Sequence, residues 1–279
     1  MDTLTQRVSL VRTEAERLED YLETLTPTAW HHPSACTGWE VGDVVAHLAR
    51  GAEAYIEWIT HGLRGDTAPP ARAVTAAPDN ATTSTARRAQ RAIAIRRSLG
   101  DRLFPTFQAR TAQFHDFLVS LNANDWERLC YHPTGLQPVR RFVDLYITEL
   151  GMHGWDIQSQ LEPVAHLSAE SLPVFLAFMP DLIRWTFQPG PRLPAPLRYR
   201  FVLTDRLPHV YDIVIAGDQA WLAPAGTDPV HSTCESDTEA FVLLTFGRLP
   251  LPAALAQGRM RMQGTQESIS AFAQWFRGV

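Results

Sequence analysis

The segment YITELGMHGWDI places Glu149 and His153 four residues apart. On a helix that spacing brings both side chains out of one face, one turn apart. An imidazole beside a carboxylate suits a borderline divalent ion such as zinc. Phe142, Tyr146, Glu149, His153, Asp156 and Ile157 share this stripe, which mixes apolar and ionisable groups and so should face an interior. Much earlier, His47 lies in line with Val44 and Gly51 on a stripe that also carries Leu48 and Tyr55. A histidine on a core-facing stripe needs a partner. If the two helices face each other, His47, Glu149 and His153 make a three-ligand divalent-metal site with one position open, as catalytic zinc sites have. Each part alone has a plainer reading. A Glu and a His four apart are often a surface pair, and a single interior histidine is often just hydrogen-bonded. The conjunction of all three brings the metal level with these plainer readings.

Helices must hold these groups. Leu4, Val8, Val11, Leu18, Leu22 and Leu25 mark an amphipathic helix over residues 3–25, stopped by Pro27. HHPSACTGW is a loop in which Thr37 or Gly38 can cap the next helix, from Glu40 to about Leu63. Residues 65–83, rich in Pro, Ala, Thr and Gly, read as a long surface loop. A third helix is expected over 84–121, broken near Gly100 and Pro105. The loop HPTGLQP leads to a fourth, from Val139 to Gln160. Four helices joined by loops describe a four-helix bundle, which builds metal sites from facing helices.

The pattern then changes. FQPGPRLPAP (187–196) reads as a linker. RYRFVLT (198–204), VYDIVIAG (210–217) and QAWLAP (219–224) have the runs of strands, and Asp237–Phe246 and Glu267–Phe276 those of helices. A short strand is expected at Arg259–Met262. The fold class is therefore α plus α+β, with domains at 1–165, 166–197 (connecting helix and linker) and 198–279.

Composition limits the function. With 279 residues, 45% hydrophobic and 20% charged, the chain can bury a sizeable core. A net charge of −5 argues against a nucleic-acid partner. Arg87, Arg88, Arg91, Arg96, Arg97 and Arg102 fit the solvated side of a helix, with anion binding the lesser reading. There is no signal-peptide pattern and no apolar run long enough to span a membrane, so a cytoplasmic location is expected. Cys36, Cys130 and Cys234 are scattered and suggest neither disulfides nor a thiolate-rich zinc site.

CTGWEVGDVVAHLA (36–49), followed much later by ELGMHGWDI (149–157), resembles the mycothiol-dependent maleylpyruvate isomerase family of DinB-type metal-binding bundles. The resemblance matches Gly38, Trp39, His47, Glu149, His153 and Asp156, and implies that His47, Glu149 and His153 are metal ligands. Residues 198–279 look like the sterol-carrier-like domain often attached in this family. The implied cofactors are a divalent metal, zinc first, and mycothiol or a similar low-molecular-weight thiol. The implied partners are a small electrophilic substrate and that thiol. The resemblance implies that a metal-activated thiolate would attack an electrophilic carbon. Addition to an alkene, rotation and expulsion give isomerisation, whereas retention of the C–S bond gives S-transfer. Relatives carry an Arg about one turn before the Glu, where this chain has Tyr146, and this puts S-transfer slightly ahead. Asp156 is either an outer acceptor for a ligand histidine or an exposed carboxylate. Trp39 and Trp155 are expected in core packing rather than on a pocket wall. A metal-dependent hydrolase, with Asp156 as base, is one alternative. Another is a non-catalytic module with Phe201, Val202, Val214 and Ile215 around a ligand.

Overall fold

A computed structural model describes residues 3–70, 81–188, 195–205, 207 and 209–276. It divides into two compact units, Met1–Ser171 and Leu172–Val279.

The first unit is helical: α1 (Leu4–Glu23), α2 (Val41–Leu63), α3 (Ala81–Leu99), α4 (Leu103–Val119) and α5 (Val139–Leu161). Helix α1 starts at Thr3, whose hydroxyl accepts from the Gln6 N–H while the Gln6 side chain returns to the Thr3 N–H. Its buried stripe of Val8, Val11, Ala15, Leu18 and Leu22 has helical spacing and packs on α4 and α5. Helix α2 lies against α3, α4 and α5. α1, α2, α4 and α5 thus make the expected four-helix bundle.

The expected third helix is two. A 3-10 turn at Gly100–Arg102 separates α3 from α4, with Gly100 at φ +52°. Pro105 breaks nothing, because it falls in the first turn of α4, where an N–H has no intrahelical partner. Residues 71–80 of the expected 65–83 loop lie outside the described residues, and α3 already begins at Ala81.

The cap of α2 also differs from expectation. Glu40, not Thr37 or Gly38, precedes the helix, and the Asp43 carboxylate accepts its N–H at 2.9 Å. Arg96 is not part of a merely solvated face. Its guanidinium bonds to Glu40 and lies 3.0 Å from Asp43, tying α3 to the start of α2. Thr37 and Gly38 instead form a tight turn closed by the Trp39 N–H on the Cys36 carbonyl at 3.0 Å. Gly38 has φ +79°, the conformation that favours glycine at the third place of a type II turn. A short antiparallel ladder, β1 (Leu129–Cys130) with β2 (Gln137–Pro138), closes the loop before α5.

The second unit contains α6 (Leu172–Thr186), β3 (Leu197–Leu203), β4 (His209–Ala216), β5 (Gln219–Pro224), β6 (Ser232–Ser236), α7 (Thr238–Thr245), α8 (Leu251–Ala256), β7 (Met260–Gly264) and α9 (Gln266–Trp275). Its sheet has the order β5-β4-β3-β6-β7, with β3 and β6 parallel and the other pairs antiparallel. Tyr199, Phe201, Phe241 and Phe272 form its aromatic core. Phe201, Val214 and Ile215 are buried packing residues. Two cavities of about 270 and 160 Å³ are lined elsewhere, one by Leu176, His209 and Tyr211, the other by Leu244, Leu249 and Phe272. The ligand-lining role for Phe201, Val202, Val214 and Ile215 is therefore not what these cavities offer. Part of the Pro-rich stretch, 189–194, lies outside the described residues. The order is nonetheless as expected: a helical bundle, then a small α+β unit. No helix among the described residues is long and apolar enough to cross a membrane.

Candidate metal centre

Helix α2 contributes His47, and α5 contributes Glu149 and His153. His47 Nε2 lies 2.9 Å from Glu149 Oε2, and His153 Nε2 lies 3.3 Å from the same oxygen. The two imidazoles stand nearly perpendicular, with centroids 5.0 Å apart. One donor atom from each residue falls within 4.8 Å of the others. The side chains are 24%, 37% and 14% exposed for His47, Glu149 and His153, so the cluster is reachable from solvent without lying on the surface.

Asp156 is wholly buried, not helix-exposed. Its Oδ2 is 2.9 Å from His153 Nδ1 and 3.0 Å from Cys36 Sγ. The bond to Asp156 engages Nδ1 and leaves Nε2 on the Glu149 side, the nitrogen a metal would take. The Ala35 N–H donates to the Asp156 carbonyl at 2.9 Å, which fixes the CTGW loop to α5.

That loop sets Trp39 over the cluster. Its ring lies 5.2 Å from His47, edge to face, and 6.1 Å from His153, nearly parallel. Trp39 is buried, as core packing requires, but what it packs on is the two histidines. Trp155 donates its indole N–H to the Ala165 carbonyl at 3.2 Å.

Electrostatics match this arrangement. Burial pushes the Glu149 carboxyl up, but the bonds and charges of His153 and His47 outweigh it and hold the group well below the usual carboxylate range. Burial pulls His153 down, yet Cys36, Asp156 and Glu149 together hold it well above an ordinary histidine. Nitrogen and oxygen donors converging on one point, with one imidazole oriented from behind by a carboxylate, form a set that fits a divalent ion of the zinc type.

Around the cluster are rings. Tyr146 is fully buried and donates to the Leu48 carbonyl at 3.3 Å. Its ring lies 4.9 Å from Phe114 and 5.9 Å from Tyr55. Tyr55 continues the row to Phe142, Trp58 and His132. Burial pushes His132 down to about 4, so its ring is neutral. Arg140 bonds to Glu127, and Arg141 lies 3.7 Å from Asp144, which Arg7 also grips.

The structure thus brings together all four sequence-derived residues. Cys36 was missed because it is in a loop, distant in sequence, and had been judged only as one of three scattered thiols. Its place at the head of the CTGW motif was the available signal.

Comparison with known proteins gives the family. Residues 11–158, just over half of the chain, match the family model "Mycothiol maleylpyruvate isomerase N-terminal domain". A crystal structure of the mycothiol-dependent maleylpyruvate isomerase superposes with a TM-score of 0.58 at 14% identity, covering 88% of this chain and 90% of that one. A histidine-to-alanine mutant of that enzyme gives a TM-score of 0.58 at 13% identity, with 88% and 90% covered. A ubiquinone-synthesis protein, UbiJ-SCP2, covers 37% of this chain and 92% of its own at a TM-score of 0.30 and 14% identity. No curated protein matches the chain. By the family match, this chain belongs to the mycothiol maleylpyruvate isomerase N-terminal-domain family.

Proposed function

We propose that the protein is a metal-dependent enzyme that uses a low-molecular-weight thiol of the mycothiol type on a small electrophilic substrate, as an S-transferase or an isomerase. The observation that carries this reading is the convergence of His47, Glu149 and His153, with Asp156 behind His153. In this reading those three residues hold a divalent ion, zinc first, and Asp156 orients His153. A divalent ion bound there would supply Lewis acidity that lowers the pKa of a thiol to near neutrality. Trp39 keeps water from one side of the histidines, and Glu149 offsets the ion's charge.

S-transfer stands slightly ahead of isomerisation. Tyr146 is a buried, hydrogen-bonded phenol, and Arg140 and Arg141 pair with Glu127 and Asp144. None of these is placed as a cationic clamp for an acidic substrate. Hydrolysis is the weaker alternative. Its candidate base, Asp156, is wholly buried and sits on the Nδ1 side of His153, away from Glu149.

Incubation of the zinc-loaded protein with mycothiol and an activated alkene, read by mass spectrometry and NMR, tests the proposal. A thiol adduct indicates transfer. A geometric isomer with the thiol regenerated indicates isomerisation. Turnover that needs no thiol contradicts both.

A further inference from the structure

Helix α2 carries Gly42, Gly51 and Gly62, and packing explains two of them. A Cβ on Gly42 would come 2.7 Å from Arg96 Cδ. One on Gly62 would collide with Cys130 Sγ and lie 2.9 Å from the Leu129 carbonyl oxygen. At Gly51 it would meet a single atom, Tyr146 Cε2, at 3.8 Å, an ordinary contact. Gly51 sits in regular helix without positive φ. Alanine would be the better helix former there. Neither backbone nor packing asks for glycine at this position.

Its location supplies a reason. Gly51 is one turn beyond His47, on the line His47–Gly51–Tyr55, and is partly exposed. Across from it is Tyr146, and next along the line comes the row Tyr55, Trp58 and His132, with centroids 5.7 Å apart from Tyr55 to Trp58 and from Trp58 to His132. Trp58 and His132 are themselves partly exposed. Such rings favour planar apolar groups, which gain by stacking or edge contact. We infer that Gly51 keeps open a subsite beside the His47–Glu149–His153 centre for an aromatic ring of the ligand, laid toward the part-exposed rings of Trp58 and His132. This inference rests on the metal reading above. A side chain at position 51 fills the subsite and leaves the three ligands in place.

The test uses the full-length protein loaded with Co²⁺ and two probes, ethanethiol and phenylmethanethiol. Binding is read from the thiolate-to-cobalt charge-transfer band. The wild type should prefer the aromatic thiol by about tenfold. Gly51→Val should keep the cobalt spectrum and the ethanethiol affinity but lose that preference. Gly51→Ala should lie between, and should raise the melting midpoint of the metal-free protein, which a simple packing defect would not do. If the valine variant does not fold, the alanine variant decides. An unchanged preference, or equal loss of both thiols, overturns the subsite alone. A wild type that takes up no cobalt contradicts the metal reading, and the subsite falls with it.

Discussion

Each unit buries a cluster of ionisable groups, and the two clusters are built on opposite principles. In the second unit, wholly buried Asp212 accepts from Arg198 at 3.1 Å, from Arg200 at 2.8 and 3.0 Å, and from the Gly226 N–H at 3.2 Å. Arg198 also bonds to Asp228 and Arg200 to the Gly226 carbonyl, so donors meet acceptors throughout. In the first unit, His47, Glu149 and His153 bring one donor atom each toward a common point. His47 Nε2 and His153 Nε2 share Glu149 Oε2, at 2.9 and 3.3 Å, and the outer nitrogen of His153 is held by Asp156. Buried charge alone therefore marks no function here. Donor atoms that converge on one point and are held from behind are what the proposed metal reading rests on.

The sharpest break of that comparison is to remove one member from each cluster. His47→Ala should lower divalent-metal affinity by about a thousandfold, the share of one ligand in a tight site, with little change in the denaturation midpoint of the metal-free protein, since Glu149 keeps His153 beside it. Asp212→Ala should do the reverse. It leaves two part-exposed guanidinium groups without their buried counter-ion, should cost about 3 kcal/mol in urea unfolding, and should spare metal affinity.

The Asp212 cluster also predicts a pH dependence. Burial raises this carboxyl, but Arg200, the Gly226 N–H and Arg198 outweigh it and hold it below the ordinary value. A depressed carboxyl contributes stability that is present above its unfolded value, about 3.9, and is lost as pH falls through the folded one. The stability gap between wild type and Asp212→Asn should therefore be full at neutral pH and close in acid. Urea titrations at stepped pH would show it, and a constant gap would refute it.

Smaller effects sharpen the other side. Asp156→Asn should weaken metal binding by about 10- to 100-fold, because the His153 tautomer is no longer fixed. A competitive chelator titration reads this directly. Tyr146→Phe removes the bond to the Leu48 carbonyl and should cost about 1 kcal/mol in stability while leaving metal affinity alone.

The triad could be read from the sequence because it obeys helical periodicity: Glu149 and His153 are one turn apart, and His47 interrupts an apolar stripe. The bundle and strands β3, β4 and β5 were legible for the same reason, since each repeats its period several times. What could not be read depends on contacts between distant segments. Cys36 meets Asp156 across 120 positions, and Arg96 meets Glu40 across 56, and no local pattern encodes either. Helix α8, six residues long, is too short for a helical period to appear, and β6 is built of Ser, Thr, Cys, Glu and Ser rather than the branched and aromatic residues that mark strands. The cap of α2 was misplaced because Glu40 is an unusual residue there, and it is Asp43 that closes the turn.

The central claim is that His47, Glu149 and His153 hold one divalent ion. Elemental analysis of the purified full chain after zinc loading and gel filtration, beside His47→Ala, tests it most directly. About one equivalent of metal is expected in the wild type and almost none in a folded His47→Ala variant. A wild type that retains no metal, or a variant that retains as much as the wild type, would contradict it.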